Sequence, residues 1–172
     1  MQVTHAPRVY LAGFDVFRQD AIEHGQYLKA LCTAHSLEGL YPFDNEVPTN
    51  LNKQQTASLI CSMNIAMIQR CDAVLANLNA FRGLEPDSGT VFEVGMAVAL
   101  NKPVWVYFDP QGSLRDQVPH NLQGFDAEGY QVEDFDLPKN LMLACTWAGS
   151  SSTVELAVEA LSLHLAKSTA QI

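Results

Sequence analysis

Short runs of consecutive apolar residues alternate along this chain with longer stretches in which apolar residues return every third or fourth position. The first rhythm belongs to strands buried on both faces, the second to amphipathic helices. Arg8-Val9-Tyr10-Leu11-Ala12, ended by Gly13, predicts a first buried strand. Ala21 to His35 predicts a helix, with Ala21, Ile22, Leu28, Leu31 and Cys32 on its apolar stripe despite Gly25. Leu37 to Phe43 predicts a second strand, stopped by Pro42 and the turn residues Asp44-Asn45. Leu51 to Cys71, carrying Leu59, Ile60, Met63, Ile65, Ala66, Met67 and Ile68, predicts a long and largely buried helix. Asp72 to Leu78 is the third expected strand, Ser88 to Leu100 the next helix, and Pro103 to Phe108 the fourth strand. From Asp109 to about Gly129 the pattern loosens into a loop. A short segment (Tyr130-Gln131-Val132), a helix from Leu137 and a closing helix from Val154 to Ala166 complete the chain.

Strand-helix alternation of this kind predicts a single α/β domain over residues 1–172, a Rossmann-like doubly wound parallel sheet with helices on both faces. A chain of 172 residues, 48% of them hydrophobic, is long enough to bury a proper core. The formal charge of −9 and pI near 4.8 argue against a nucleic acid or an anionic membrane surface as partner. No apolar stretch reaches the roughly 18 residues of a membrane helix, and no secretory signal is visible at the N-terminus, so a cytoplasmic location is expected. Cys32, Cys61, Cys71 and Cys145 are widely spread and read as reduced, buried small hydrophobes; neither they nor the five histidines show metal-ligand spacing, so no metal is expected. Asp72 reads as a structural residue at the strand entry, capping the end of the preceding helix.

Chemistry concentrates where the third strand runs into the following helix, since ligands of parallel sheets bind outside the carboxyl ends of the strands. Asp87 and Glu93 stand there, six residues apart, with Gly89 between them allowing close approach of the backbone to a ligand. One reading of Glu93 is a capping box with Thr90; the other is a carboxylate nucleophile, kept ionised by the positive end of the helix, attacking an anomeric carbon. Asp87 is either an ordinary turn or N-cap residue or an acid that hands a proton to a leaving group.

Four blocks in order, VYLAGFDVF, LEGLYPFDN, CDAVLANLNAFRGLEPDSGTVFEVGMA and NLMLA, resemble the nucleoside 2-deoxyribosyltransferase family over roughly residues 8 to 145. The resemblance implies a flavodoxin-like subunit in a homo-oligomer that moves 2-deoxyribose between nucleobases by a two-step retaining exchange, without metal or cofactor. It implies deoxyribonucleosides and free nucleobases as the small-molecule partners. Carried onto this chain, Glu93 matches the family nucleophile and Asp87 the acid near the base. Tyr10 matches a tyrosine that positions the nucleophile, and Asn140 and Met142 match residues reaching a neighbouring subunit's site. Gly13, Phe14, Asp15 and Phe17 fall where the family lines its base pocket, and Gly89 lies under the sugar. Many members carry Asp where Asn64 aligns, and an amide hydrogen-bonds a base edge without transferring a proton in the same way.

Each residue also has a plainer reading: Tyr10 as a core aromatic, Asp15 as an N-cap, Asn140 as a helix N-terminal residue, Met142 as an apolar filler. Two other functions compete. A nucleoside 5′-monophosphate N-glycosidase would need an anion clamp, for which Arg18 and Arg82 are the nearby cations, but Pro86-Asp87 stands where a glycine nest would cradle phosphate. A non-catalytic nucleoside-sensing module would keep the fold without the reaction.

Overall fold

The computed structural model describes residues 5–169. Five strands, β1 (Arg8–Ala12), β2 (Glu38–Leu40), β3 (Ala73–Asn77), β4 (Val104–Tyr107) and β5 (Gly149–Ser151), form one sheet in the order β2-β1-β3-β4-β5. Every neighbouring pair is parallel. The intervening helices are α1 (Ala21–Ala34), α2 (Lys53–Arg70), α3 (Ser88–Ala99), the single turns α4 (Leu114–Gln117) and α5 (Leu141–Ala144), and α6 (Val154–Thr169).

Two apolar cores form because β1, β3 and β4 carry apolar side chains on both faces. Tyr10, Val74, Ala76, Val104 and Val106 pack on one side with Met67 and Ile68 of α2, Val94 and Ala97 of α3, and Leu143 of α5. Val9, Leu11, Leu75 and Tyr107 pack on the other with Leu28 and Cys32 of α1 and Val158 and Leu161 of α6. All five residues of β3 are buried, Ala73 to Ala76 as a continuous apolar run and Asn77 through its hydrogen bond to Asp15. Doubly wound α/β architecture is therefore what the apolar rhythm predicts and what the chain adopts.

Several local expectations are revised. The second strand is only three residues long, because Pro42 opens a 3-10 turn over Pro42–Asp44. The α2 helix is not largely buried: only Met67 and Ile68 of its last turns are fully enclosed, and Ile60 is 41% exposed. At Ile60 in mid-helix, an apolar stripe that resembles a core stripe instead lines a cavity and faces solvent. Leu137 starts no helix; Pro138 disfavours helical backbone in the residue before it, and α5 begins only after Asn140, whose side chain accepts from Met142 N at 2.9 Å. Tyr130-Gln131-Val132 contributes one isolated antiparallel bridge, Phe125 to Gln131, and no sheet strand. Asp72 accepts from Arg8 N at 2.7 Å and so ties down β1 rather than the end of α2. Cys61 and Cys145 are exposed, while Cys32 and Cys71 are buried; all four are free thiols. No helix among the described residues is long and apolar enough to cross a membrane.

The fifth strand, Gly-Ser-Ser, has no apolar residue for a pattern to find. Its place is made by Trp105 of β4: the indole lies against Gly149, where a Cβ would come within 2.3 Å of the ring, and Trp105 Nε1 donates to Ser151 Oγ at 3.0 Å. Gly149→Ala is expected to lower stability by about 1–3 kcal/mol, the usual cost of overpacking. Denaturant unfolding would read this as a lower midpoint at unchanged slope.

Candidate active site

The chain β1 to β3 to α3 brings the chemical residues to one edge. In the order β2-β1-β3-β4-β5 the crossovers reverse direction between β1 and β3, and a crevice opens there at the strands' carboxyl ends. A cavity of about 360 Å³ occupies it. Gly13, Val16 and Phe17 after β1 form one wall, and Phe43, Asn45 and Val47 after β2 another. Ile60 and Asn64 of α2 face Asp87, Gly89, Thr90 and Glu93 at the start of α3.

Glu93 lines this cavity. Tyr10, fully buried in β1, donates its phenolic hydrogen to Glu93 Oε1 at 2.5 Å. Burial is the largest influence on Glu93 and pushes its carboxyl up from the ordinary 4.5 to about 7; the Tyr10 hydrogen bond pulls it down and the nearby Asp87 charge pushes it up. The expectation that the helix end keeps Glu93 ionised is therefore corrected. Glu93 lies beyond the first turn of α3, which holds no acidic residue, and the helix-end field fades within that turn. Burial drives the Tyr10 phenol strongly upward, reinforced by the Glu93 charge, so it remains a donor.

Asp87, not Thr90, is the N-cap of α3. Its Oδ2 accepts from Thr90 N at 3.0 Å and Thr90 Oγ1 at 3.1 Å, so Thr90 and Glu93 form no capping box. The cap holds the Asp87 carboxyl at the cavity lining. At Gly89 an added Cβ would come within 3.0 Å of that carboxyl, so glycine keeps the cap geometry and the open floor together.

The remaining residues separate into three groups. Gly13, Phe17, Asn64 and Gly89 line the cavity with Asp87 and Glu93, and the buried Asn64 Oδ1 has no hydrogen-bond partner among the described residues. Phe14 and Asp15 are outside the lining. Phe14 stacks on Phe81 at 4.8 Å between ring centroids, Phe17 lies against the same ring at 5.5 Å, and the Arg82 guanidinium covers Phe17 and Phe81. Asp15 is buried beneath Gly13. Asn140 and Met142 belong to a second groove on another face of α3, with Val91, Val94 and Val98; Met142 is 70% exposed, and Asn140 Nδ2 donates to Glu133 Oε1 at 2.5 Å. Arg18 is engaged by Asp20, with Nε and Oδ1 at 2.8 Å. Sequence reasoning missed Val16, Phe43, Asn45, Val47 and Ile60; the available signal was that residues 42–47 leave a strand at the same edge as Gly13.

The nucleoside 2-deoxyribosyltransferase family model matches residues 9–142, most of the chain. The chain belongs to this family. A 2-deoxyribosyltransferase from Leishmania mexicana is 32% identical in sequence and superposes with a TM-score of 0.77, over 92% of this chain and 98% of that one. A 2-deoxyribosyltransferase from Bacillus psychrosaccharolyticus shares the fold at 17% identity, with a TM-score of 0.59 over 88% of this chain and 90% of that one. An uncharacterized protein of Schizosaccharomyces pombe is 36% identical over 101 residues, 57% of this chain, and that match spans about half (48%) of the relative's length.

The Glu93 shift makes stability depend on pH with a definite sign. Between the ordinary 4.5 and about 7 the folded chain holds a proton on Glu93 that the unfolded chain releases, so this group's contribution is present below 4.5 and is lost as pH rises through about 7. Glu93→Gln cannot ionise and keeps an acceptor for Tyr10. Its melting temperature is expected to gain on wild type by a few degrees at pH 8 but not at pH 4.5, in scanning fluorimetry at both values. An equal difference at both pH values would show that Glu93 is not a desolvated acid.

Proposed function

We propose that the protein exchanges the nucleobase of 2′-deoxyribonucleosides through a covalent deoxyribosyl-Glu93 intermediate, a transferase reaction suited to nucleotide salvage. The observation that carries this reading is the Tyr10–Glu93 hydrogen bond beside Asp87 in the cavity at the sheet's ligand edge. A carboxylate held by one donor, with a second carboxyl close by, is the pairing that glycosyl transfer with retention requires.

In this reading ionised Glu93 attacks C1′ as the C1′–N bond breaks. The bond's electron pair leaves with the base, which takes a proton through Asp87. Without a 2′-hydroxyl to withdraw electrons, deoxyribose supports the positive charge developing at C1′ better than ribose does. A second base then attacks C1′ from the vacated side, gives its proton to Asp87 and restores the Glu93 carboxylate. Tyr10 keeps the carboxylate oriented and, by donating to it, favours its ionised form. Asn64 meets the base edge with a neutral amide. Phe17 and Phe43 supply apolar walls for the base.

Asn140 and Met142 stand away from this cavity, in an apolar groove across α3, which supports their completing the site of a neighbouring subunit in a homo-oligomer. The exposed Ile60 on α2 and Phe92 on α3 fit the same reading.

The first assay mixes the protein with deoxyinosine and adenine, and separately with thymidine and adenine. Deoxyadenosine is the expected product, and release of free base without exchange would replace the transferase with a hydrolase. Glu93→Ala should lower exchange by several powers of ten, on the order of 10⁴–10⁶, as loss of a covalent nucleophile does. Mass spectrometry of wild type with deoxyinosine alone should find one deoxyribosyl group on Glu93; a Glu93→Ala variant that retains exchange would refute the role. Because Glu93 must be ionised, activity should fall as pH drops below about 7. Tyr10→Phe removes the hydrogen bond that lowers the Glu93 value, so this acid limb should move to higher pH.

A further inference from the structure

Beneath the cavity's first wall lies a buried polar cluster that the reaction itself does not use. Asp15 is 6% exposed and follows β1 within a 3-10 turn over Phe14–Phe17. Its Oδ2 accepts from Asn77 Nδ2 of β3 at 2.9 Å and from Tyr107 OH of β4 at 3.4 Å. Its Oδ1 stands 3.2 Å from His24 Nε2 of α1. The cluster continues: Asn77 Oδ1 accepts from Asn79 N at 3.2 Å and Asn79 Nδ2 at 2.8 Å, and Asn79 Oδ1 accepts from Asp109 N at 2.9 Å. One carboxylate thus gathers the carboxyl ends of β1, β3 and β4.

Gly13 couples this cluster to the cavity. A Cβ there would come within 2.6 Å of Asp15 Oδ2 and 2.9 Å of Asn77 Cβ, so the Gly13 backbone rests directly on the network. On its other side Gly13 lines the cavity with Val16 and Phe17 of the same turn. Asp15 therefore cannot move without shifting three wall residues, while Glu93 and Tyr10 are anchored separately, through α3 and the middle of β1.

We infer that Asp15 is a positioning residue, which sets the wall of the nucleobase subsite from behind without touching the base. The inference rests on the exchange reading above and deepens it: base binding and sugar chemistry are supported by separate structures. Losing the network should weaken substrate binding while leaving the bond-breaking step nearly intact, a rise in KM at steady kcat.

Kinetics of deoxyinosine–adenine exchange test this with Asp15→Ala, Asp15→Asn and Tyr107→Phe. Asp15→Ala is expected to raise KM for deoxyinosine about tenfold, the scale of one net hydrogen bond, with kcat close to wild type. Asp15→Asn, which keeps an acceptor for Asn77, should recover part of the loss, and Tyr107→Phe should move KM in the same direction by less. If Asp15→Ala does not fold, the two milder variants carry the test. A fall in kcat at unchanged KM would overturn the inference by placing Asp15 at the chemistry. A lower melting temperature with both constants unchanged would overturn it by leaving a purely structural role. If wild type binds deoxyinosine without turnover, the exchange reading fails by itself. Calorimetric dissociation constants then decide the network's part, and an unchanged constant in all three variants would refute it.

Discussion

A single hydrogen bond, from Tyr10 on the first strand to Glu93 on a helix 83 residues later, sets the terms for the rest of this structure. It exists only if β1 lies beside β3 and α3 returns across the face on which Tyr10 is buried. It also places a carboxyl where water is scarce, which disfavours the charged form. The phenol offsets part of that cost by donating to one oxygen. The balance leaves the Glu93 carboxyl pushed up to about 7.

Around that bond the sheet edge divides into two supports. On the α3 side, Asp87 caps the helix and faces the cavity with the same carboxyl group. On the β1 side, a turn of five residues sends Gly13, Val16 and Phe17 to the cavity, Phe14 to an aromatic stack and Asp15 into the polar cluster. The narrow gap between Gly13 and Asp15 joins cavity and cluster. Apolar wall, acid pair and buried network occupy adjacent positions because the parallel sheet ends all its strands at one edge.

Legibility in the sequence followed burial. β1, β3 and β4 were readable because strands covered on both faces are continuous apolar runs. β5 was not, since Gly149-Ser150-Ser151 has no such signal and is held by Trp105 of a neighbouring strand. The α2 stripe has the pattern of a core helix because an apolar face looks the same in sequence whether it meets a sheet, a cavity or solvent. Asp87, Glu93 and Tyr10 were visible as candidates through their motifs. The walls from Phe43, Asn45, Val47 and Ile60 were not, because nothing local distinguishes them from loop and helix residues elsewhere.

Local periodicity and residue chemistry suffice for the alternation of buried strands and helices, the turn at Gly13 and the two acids at the start of α3. Folding in three dimensions settles that Glu93 pairs with Tyr10 rather than with Thr90, and that Asp15 faces Asn77 and Tyr107 rather than the cavity. It also puts the body of α3 between Met142 and Glu93. Each of these choices joins residues far apart in the chain, and a side chain's environment, with its proton affinity, is fixed by what folding brings against it.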